Sequence, residues 1–182
     1  MLWKTAGAVL VLLVLGGAYL FLSYRQAMGE ADRAWSSVVQ SAKSEERAFD
    51  PRMVGRLPET ARRYFMHAIA PGTPLRTTVE LEMQGTFLLG DKAKFQTYEM
   101  MARQILAPPD QFVWIPSLRS GPLHITGSDA LVGGEAWTRF WINGLVPVAN
   151  SRSSLDLVRS AQFRSAVEGL WAPAALLLSE DI

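Results

Sequence analysis

Three hydrophobic patterns succeed one another along this chain. The first, Thr5 to Tyr24, contains no charged residue and is bounded by Lys4 and Arg25. A helix of that length, at ~1.5 Å per residue, spans about 30 Å, the thickness of a bilayer's hydrocarbon core, and satisfies its own backbone hydrogen bonds there. A cleaved secretory signal is shorter and leaves through small side chains. This run leaves through Tyr19-Leu-Phe-Leu-Ser-Tyr24, so it predicts an uncleaved single-pass anchor in the membrane. Lys and Arg nearly tie on its two sides, and the very short N-terminal flank favours a signal anchor with the bulk of the chain on the extracytoplasmic side.

The second pattern is helical. Met28, Ala31, Trp35, Val38 and Ala42 recur at three- and four-residue spacing, which predicts a helix over 26–47. Phe49-Asp-Pro51 breaks it, and Pro58 opens another helix at a favourable position. There Ala61, Tyr64, Phe65, Ala68 and Ile69 form one apolar stripe, expected to pack on the strand that follows.

The third pattern has a period of two. Val79, Leu81, Met83, Phe87 and Leu89 alternate with polar Thr78, Glu80, Glu82, Gln84 and Thr86, a strand with one buried face. Further strands are expected at Phe95–Ile105, Phe112–Ile115, Pro122–Thr126 and Glu135–Val148, with turns at Gly90-Asp-Lys92, Pro108-Pro-Asp110, Gly127-Ser-Asp129 and Gly133-Gly134. Ser153 or Ser154 caps a helix running to about Gly169, and Pro173 starts a short apolar one. Short strands in succession with Gly and Pro turns imply antiparallel meander pairing. The expected fold class is α+β: an N-terminal transmembrane anchor (1–25), a juxtamembrane helix and linker (26–56), and an α+β domain (57–182) with helices packed on an antiparallel meander sheet.

Charge narrows the partners. Of 18 Lys and Arg only Lys4 precedes residue 25, and none of the 17 Asp and Glu does, so the remainder is formally neutral. That is poor material for binding nucleic acid, which requires an excess of cations. The chain has no cysteine, which removes disulfides, thiol catalysis and thiolate metal sites. Its two histidines, His67 and His124, stand in no metal-ligand spacing, and no GxSxG, P-loop or dinucleotide fingerprint occurs. No cofactor or metal is expected, and the balance leans away from an enzyme.

Aromatic residues carry the remaining signal. Trp114, Trp137, Trp141 and Trp171 fall in the C-terminal half of the chain. Trp137, Arg139 and Trp141 share one strand face, and Ala136, Thr138, Phe140 and Ile142 share the other. A strand apolar on both sides is covered on both sides or has one side lining a ligand cavity, and the first expectation is that helices pack on one face. Arg164 and Glu168 lie four apart on one helix face, an ordinary surface pair unless the fold buries them. The candidate ligand-binding residues are therefore Trp114, Trp137, Arg139, Trp141, Arg164 and Glu168.

Taken in order, several segments between Leu57 and Ile182 carry a resemblance. They are Leu57-Pro-Glu-Thr-Ala-Arg-Arg-Tyr64 with His67-Ala68, Gly72-Thr-Pro74, Gln84-Gly-Thr-Phe87, Ala102-Arg-Gln104, Phe112-Val-Trp114, Gly144-Leu-Val-Pro-Val148, and Arg164 and Glu168 with Trp171-Ala-Pro-Ala-Ala-Leu-Leu177. This set resembles a bacterial family of unknown function whose members often carry N-terminal membrane segments. The resemblance implies no activity. It implies a curved, lipocalin- or lipoprotein-carrier-like sheet, incomplete at the C-terminus, because family members continue into further strands. The leading expectation is a membrane protein whose sheet binds an apolar or amphipathic ligand, such as a lipid. Next comes a structural or assembly protein docking on another envelope protein, or on a partner or second copy that completes the sheet. A hydrolase is third.

Overall fold

The computed structural model describes residues 2–42, 44–91 and 93–178. Lys43 of the expected juxtamembrane helix, Lys92 of the first expected turn and the C-terminal residues 179–182 lie outside the described residues.

The expected anchor and the expected juxtamembrane helix are one element, α1 (Leu2–Ser41), long and apolar enough to cross a membrane. Gly29 inside it costs only about 1 kcal/mol relative to alanine, too little to interrupt a helix held by packing on one side. The helix runs unbroken across the expected boundary at 25/26 and ends short of 47. Residues Ser44–Ala48 form β1 instead, paired antiparallel with β2 (Pro74–Arg76).

Behind this ribbon lies a small separate core. Phe49 just after β1, Val54 of a 3-10 turn (Pro51–Val54), Phe65 of α2 (Glu59–Ala68), Ile69 at the end of that helix and Leu75 of β2 are buried together. Ala174 and Leu176–Leu178 of the short α4 (Pro173–Leu178) pack on it. Phe65 was expected on the strand from Val79; it meets α4 instead. The Leu-rich α4 needs apolar cover, and the α2 stripe supplies it, while the Tyr64 hydroxyl donates to the Leu170 carbonyl and ties the two regions.

The sheet is a six-stranded antiparallel meander, β3 (Val79–Asp91), β4 (Lys94–Ala107), β5 (Gln111–Ser120), β6 (Leu123–Val132), β7 (Glu135–Ile142) and β8 (Val146–Arg152), in sequence order. It is open, not a closed barrel, with β3 and β8 at its edges. Two expectations change here. The strand expected from Pro122 does not turn at Gly127 but continues to Val132. A Cβ on Gly127 would run into the Arg139 carbonyl and stand 2.7 Å from Phe140 Cα, so glycine here admits the neighbouring strand rather than a turn. Gly127→Ala is expected to cost about 1–3 kcal/mol by overpacking, and Gly85→Ala, with open space around its Cβ, far less; chemical unfolding of the detergent-solubilised chain will read the difference. The long strand expected over Glu135–Val148 is a hairpin. Asn143 (φ 51°) and Gly144 (φ 68°) both adopt left-handed backbone, and the Leu145 N–H donates to the Ile142 carbonyl at 3.0 Å. This is the tight turn that an Asn-Gly pair favours.

Helices cover both faces, as two-sided apolar strands require. The C-terminal half of α1 lies on Ile105, Val113, Ile115, Ala130 and Trp137. The opposite face meets α3 (Leu155–Glu168), capped by the Ser154 side chain accepting from the Leu157 N–H, over Leu106, Phe112, Leu131 and Ala136. On that same face Tyr98, Leu118 and Ile125 form a further cluster with no helix residue in it, closed over by Phe87, Met100, Phe140 and Ile142.

Candidate functional site: the sheet face beside the anchor helix

Where α1 leaves the apolar run, its side chains become the contacts that orient the sheet. Tyr24 stands edge-on to Trp141 at 5.7 Å between ring centres. Two turns on, Glu30 receives Arg139 Nη1 at 2.6 Å and also Arg152, while Gln26 donates to its other oxygen at 3.2 Å. Burial pushes the Glu30 carboxyl up, but the hydrogen bonds from Arg139 and Gln26 and the charges of Arg139 and Arg152 outweigh it, so the group ionises below its ordinary range. Burial conversely pushes the Arg139 guanidinium down. That group is almost wholly enclosed, lies 5.0 Å from the Trp137 ring centre, and leaves Nε and Nη2 without a hydrogen-bond partner among the described residues. Further along, Arg103 of β4 pairs with Asp32 and sits 4.9 Å over the Trp35 ring.

Beside α1, on the same face, lies an open groove of about 610 Å³. Glu82 and Gln84 of β3, Met101 and Arg103 of β4, Ser117 of β5 and Thr126 of β6 line it. All six point to one side because the antiparallel register aligns Gln84, Met101, Ser117 and Thr126 in a row across four strands. At its edge the Ser117 hydroxyl and His124 Nε2 are 2.8 Å apart. A serine beside an imidazole can exchange a proton with it, but among the described residues no carboxylate orients the ring's other nitrogen, so the pair falls short of a nucleophile–base–acid triad. Burial, then the nearby Arg119 charge, pushes the His124 imidazole below its ordinary value. The sign follows: a histidine with a lowered folded-state pKa leaves stability intact above its unfolded value of about 6.5 and removes it as the pH falls below that. His124→Gln is expected to flatten the acid side of the stability profile, read as midpoint denaturation against pH.

The opposite face carries a second polar network. Arg164 donates to Asp129 and, at 2.8 Å, to Glu168; Gln104 donates to the other Glu168 oxygen, and Thr138 to Asp129 at 2.9 Å. The guanidinium lies 4.7 Å from the Phe112 ring centre and 5.1 Å from that of Trp114. Two carboxylates thus share one cation. Burial pushes the Asp129 carboxyl up and the Glu168 charge adds to this, while Arg164 and Thr138 offset it only in part. The Arg164–Glu168 pair is therefore no solvated surface pair: it clamps α3 to β4 and β6.

The six candidate residues consequently divide. Trp137, Arg139 and Trp141 lie under α1; across the thickness of the sheet, Trp114 of β5 lies beneath Arg164, which α3 carries together with Glu168. None of them lines the groove of about 610 Å³, where Glu82 and Gln84 stand on the polar face expected of their strand. In β3 the alternation of Glu82 and Gln84 with Met83 puts the two polar side chains on one face, but the partner strands that make a groove of it are not written in that segment. Among the described residues no cluster of three metal-ligating side chains gathers.

No curated protein and no solved structure matches the chain. A family model does, over residues 47–182, most of the chain and all of it beyond α1 and the start of β1. The chain belongs to that family, a family of unknown function, DUF6544.

Proposed function

We propose that this protein is a single-pass membrane protein of the bacterial envelope whose domain, held on the extracytoplasmic side by α1, binds an amphipathic ligand such as a lipid in the groove beside that helix. The observation that carries the reading is the groove's position: it shares a sheet face with the helix that delivers the domain to the membrane. Its volume of about 610 Å³ lies within the usual range for small-molecule sites. Its lining mixes Met101, Ile115 and Pro116 with Glu82, Gln84, Ser117 and Thr126, apolar surface beside polar groups, which suits a molecule with both characters. Native mass spectrometry of the detergent-extracted chain tests this. A co-purifying lipid that is lost from Met101→Trp, a substitution at a highly exposed position, supports the reading; a bare wild-type chain that takes up no added phospholipid defeats it. A C-terminal reporter active only outside the cytoplasm reads the sidedness.

A second reading rests on α3. Phe163 and Val167 on α3, and Leu170 and Trp171 in the 3-10 turn (Gly169–Trp171) that follows it, are at least half exposed. An apolar patch of this kind suits a docking partner, which here would be another envelope protein. Loss of a cross-linked partner in Phe163→Asp, with lipid binding retained, would favour it over the groove.

A further inference from the structure

One end of the sheet exposes apolar side chains at every hairpin tip. Leu88, Leu89 and Phe95 stand on β3–β4, Leu123 on β5–β6, and Leu145 and Val146 at β7–β8, each between 38% and 57% exposed. Neighbouring strand residues point to opposite faces, yet Leu88 and Leu89 are both apolar and both uncovered. None of the six is among the buried residues of the clusters described above. The register brings the tips to the same end: Glu99, Arg119 and His124 align across β4, β5 and β6, and the Asn143 N–H donates to the His124 carbonyl.

That end is also where α1 arrives. Tyr24, the last residue of the uncharged run, packs on Trp141, and its ring lies 3.2 Å from where a Cβ on Gly144 would stand. From there α1 runs away from the tips, reaching Arg103 with Asp32 and the far hairpin near Asp110 with Ser41. It crosses the strands obliquely, from β7 towards β4, so the extra length of the β3–β4 hairpin offsets its distance from the point where α1 enters.

We propose that the three tips form a membrane-seated rim, resting in the headgroup and upper acyl region of the same bilayer that α1 spans. The partner is the lipid surface itself, named by continuity: the anchor emerges beside this rim. The proposal rests on the anchoring read above. Asp91 and Lys94 close the β3–β4 turn and carry charge, so the seating is interfacial and shallow, on the order of the 5–10 Å typical of amphipathic surface segments. Seated in this way, the rim fixes the tilt of the sheet and holds the groove just above the lipid, where a membrane-derived ligand enters without crossing bulk water.

Because the chain has no cysteine, single substitutions Leu89→Cys, Phe95→Cys, Leu123→Cys and Leu145→Cys can each carry a polarity-sensitive fluorophore in the full-length protein. Reconstitution is into vesicles of phosphatidylethanolamine and phosphatidylglycerol containing brominated lipids. Probes at the tips are expected to lose most of their emission to lipid brominated high on the chain, little to lipid brominated near its end, while a probe at Phe163→Cys responds only to aqueous iodide. Two sites on the longest hairpin guard against one substitution disturbing the fold. A probe at Leu13→Cys separates the two readings. If Leu13 is quenched deep in the lipid and the tips behave like Phe163, the rim is overturned and the anchor stands; if Leu13 is also aqueous, the anchor falls and the rim with it.

Discussion

Glu30→Ala will destabilise the folded chain by about 3 kcal/mol, the lower end of the range for removing one partner of a buried ion pair. The lower end applies because Glu30 keeps 23% of its side chain exposed, whereas Arg139 keeps 5%. The loss comes less from the missing attraction than from what remains: an enclosed guanidinium with two nitrogens already unpartnered and its last carboxylate gone. Arg152→Ala removes the exposed partner of the same carboxylate and is expected to cost less than about 1 kcal/mol. The double substitution Glu30→Ala with Arg139→Met should recover most of the loss, since it leaves no buried charge. Denaturant unfolding in detergent, followed by tryptophan fluorescence, reads all three; equal effects at Glu30 and Arg152 would mean that the pair does not hold α1 to the sheet. The contribution also has a pH signature. A carboxyl ionising below its ordinary 4.5 contributes stability that is fully present above that value and is lost as the pH falls through the lower, folded-state one.

Phe112→Ala will cost about 3–5 kcal/mol, the usual range for a large core aromatic. Phe112 has no exposed surface, packs with Leu106, Leu131, Ala136 and Ala161 between β5 and α3, and has the Arg164 guanidinium over its ring. Its removal opens a cavity and also strips one of the two rings beneath a cation shared by two carboxylates. Phe163→Ala, one position from Arg164 but 74% exposed, should change stability by no more than about 0.5 kcal/mol. A comparable loss at both positions would show that the outer surface of α3 is covered.

The contrast between these two phenylalanines shows where sequence reasoning stops. Alternation placed Phe112 in a strand, but nothing near it says that a helix beginning at Leu155 lies over it. The Asn143-Gly144 pair was a legible hairpin signal inside a segment apolar enough to read as one strand. Gly127 was a misleading one: glycine marks turns through backbone freedom and strand interiors through lack of a side chain, and only the neighbouring Phe140 and Arg139 backbone tells which applies. Phe65 was correctly placed on a buried stripe and given the wrong partner, because a stripe states that it needs cover and not what supplies it.

By itself the sequence determined what depends on neighbours along the chain: the apolar run of α1, a serine cap before α3, Pro173 at the start of α4, and the alternation that makes an antiparallel α+β fold. Local interactions decide these, since a helix or strand is specified by the period of its own residues. Only the tertiary structure decided which side chains share a place. Trp137, Arg139 and Trp141 went to one face and Trp114, Arg164 and Glu168 to the other; Glu30 met an arginine 109 residues away; and Gln84, Met101, Ser117 and Thr126 aligned into a groove. Those groupings arise from strand register and from which helix covers which face, and both are set by packing free energy summed over the whole sheet rather than by any one segment.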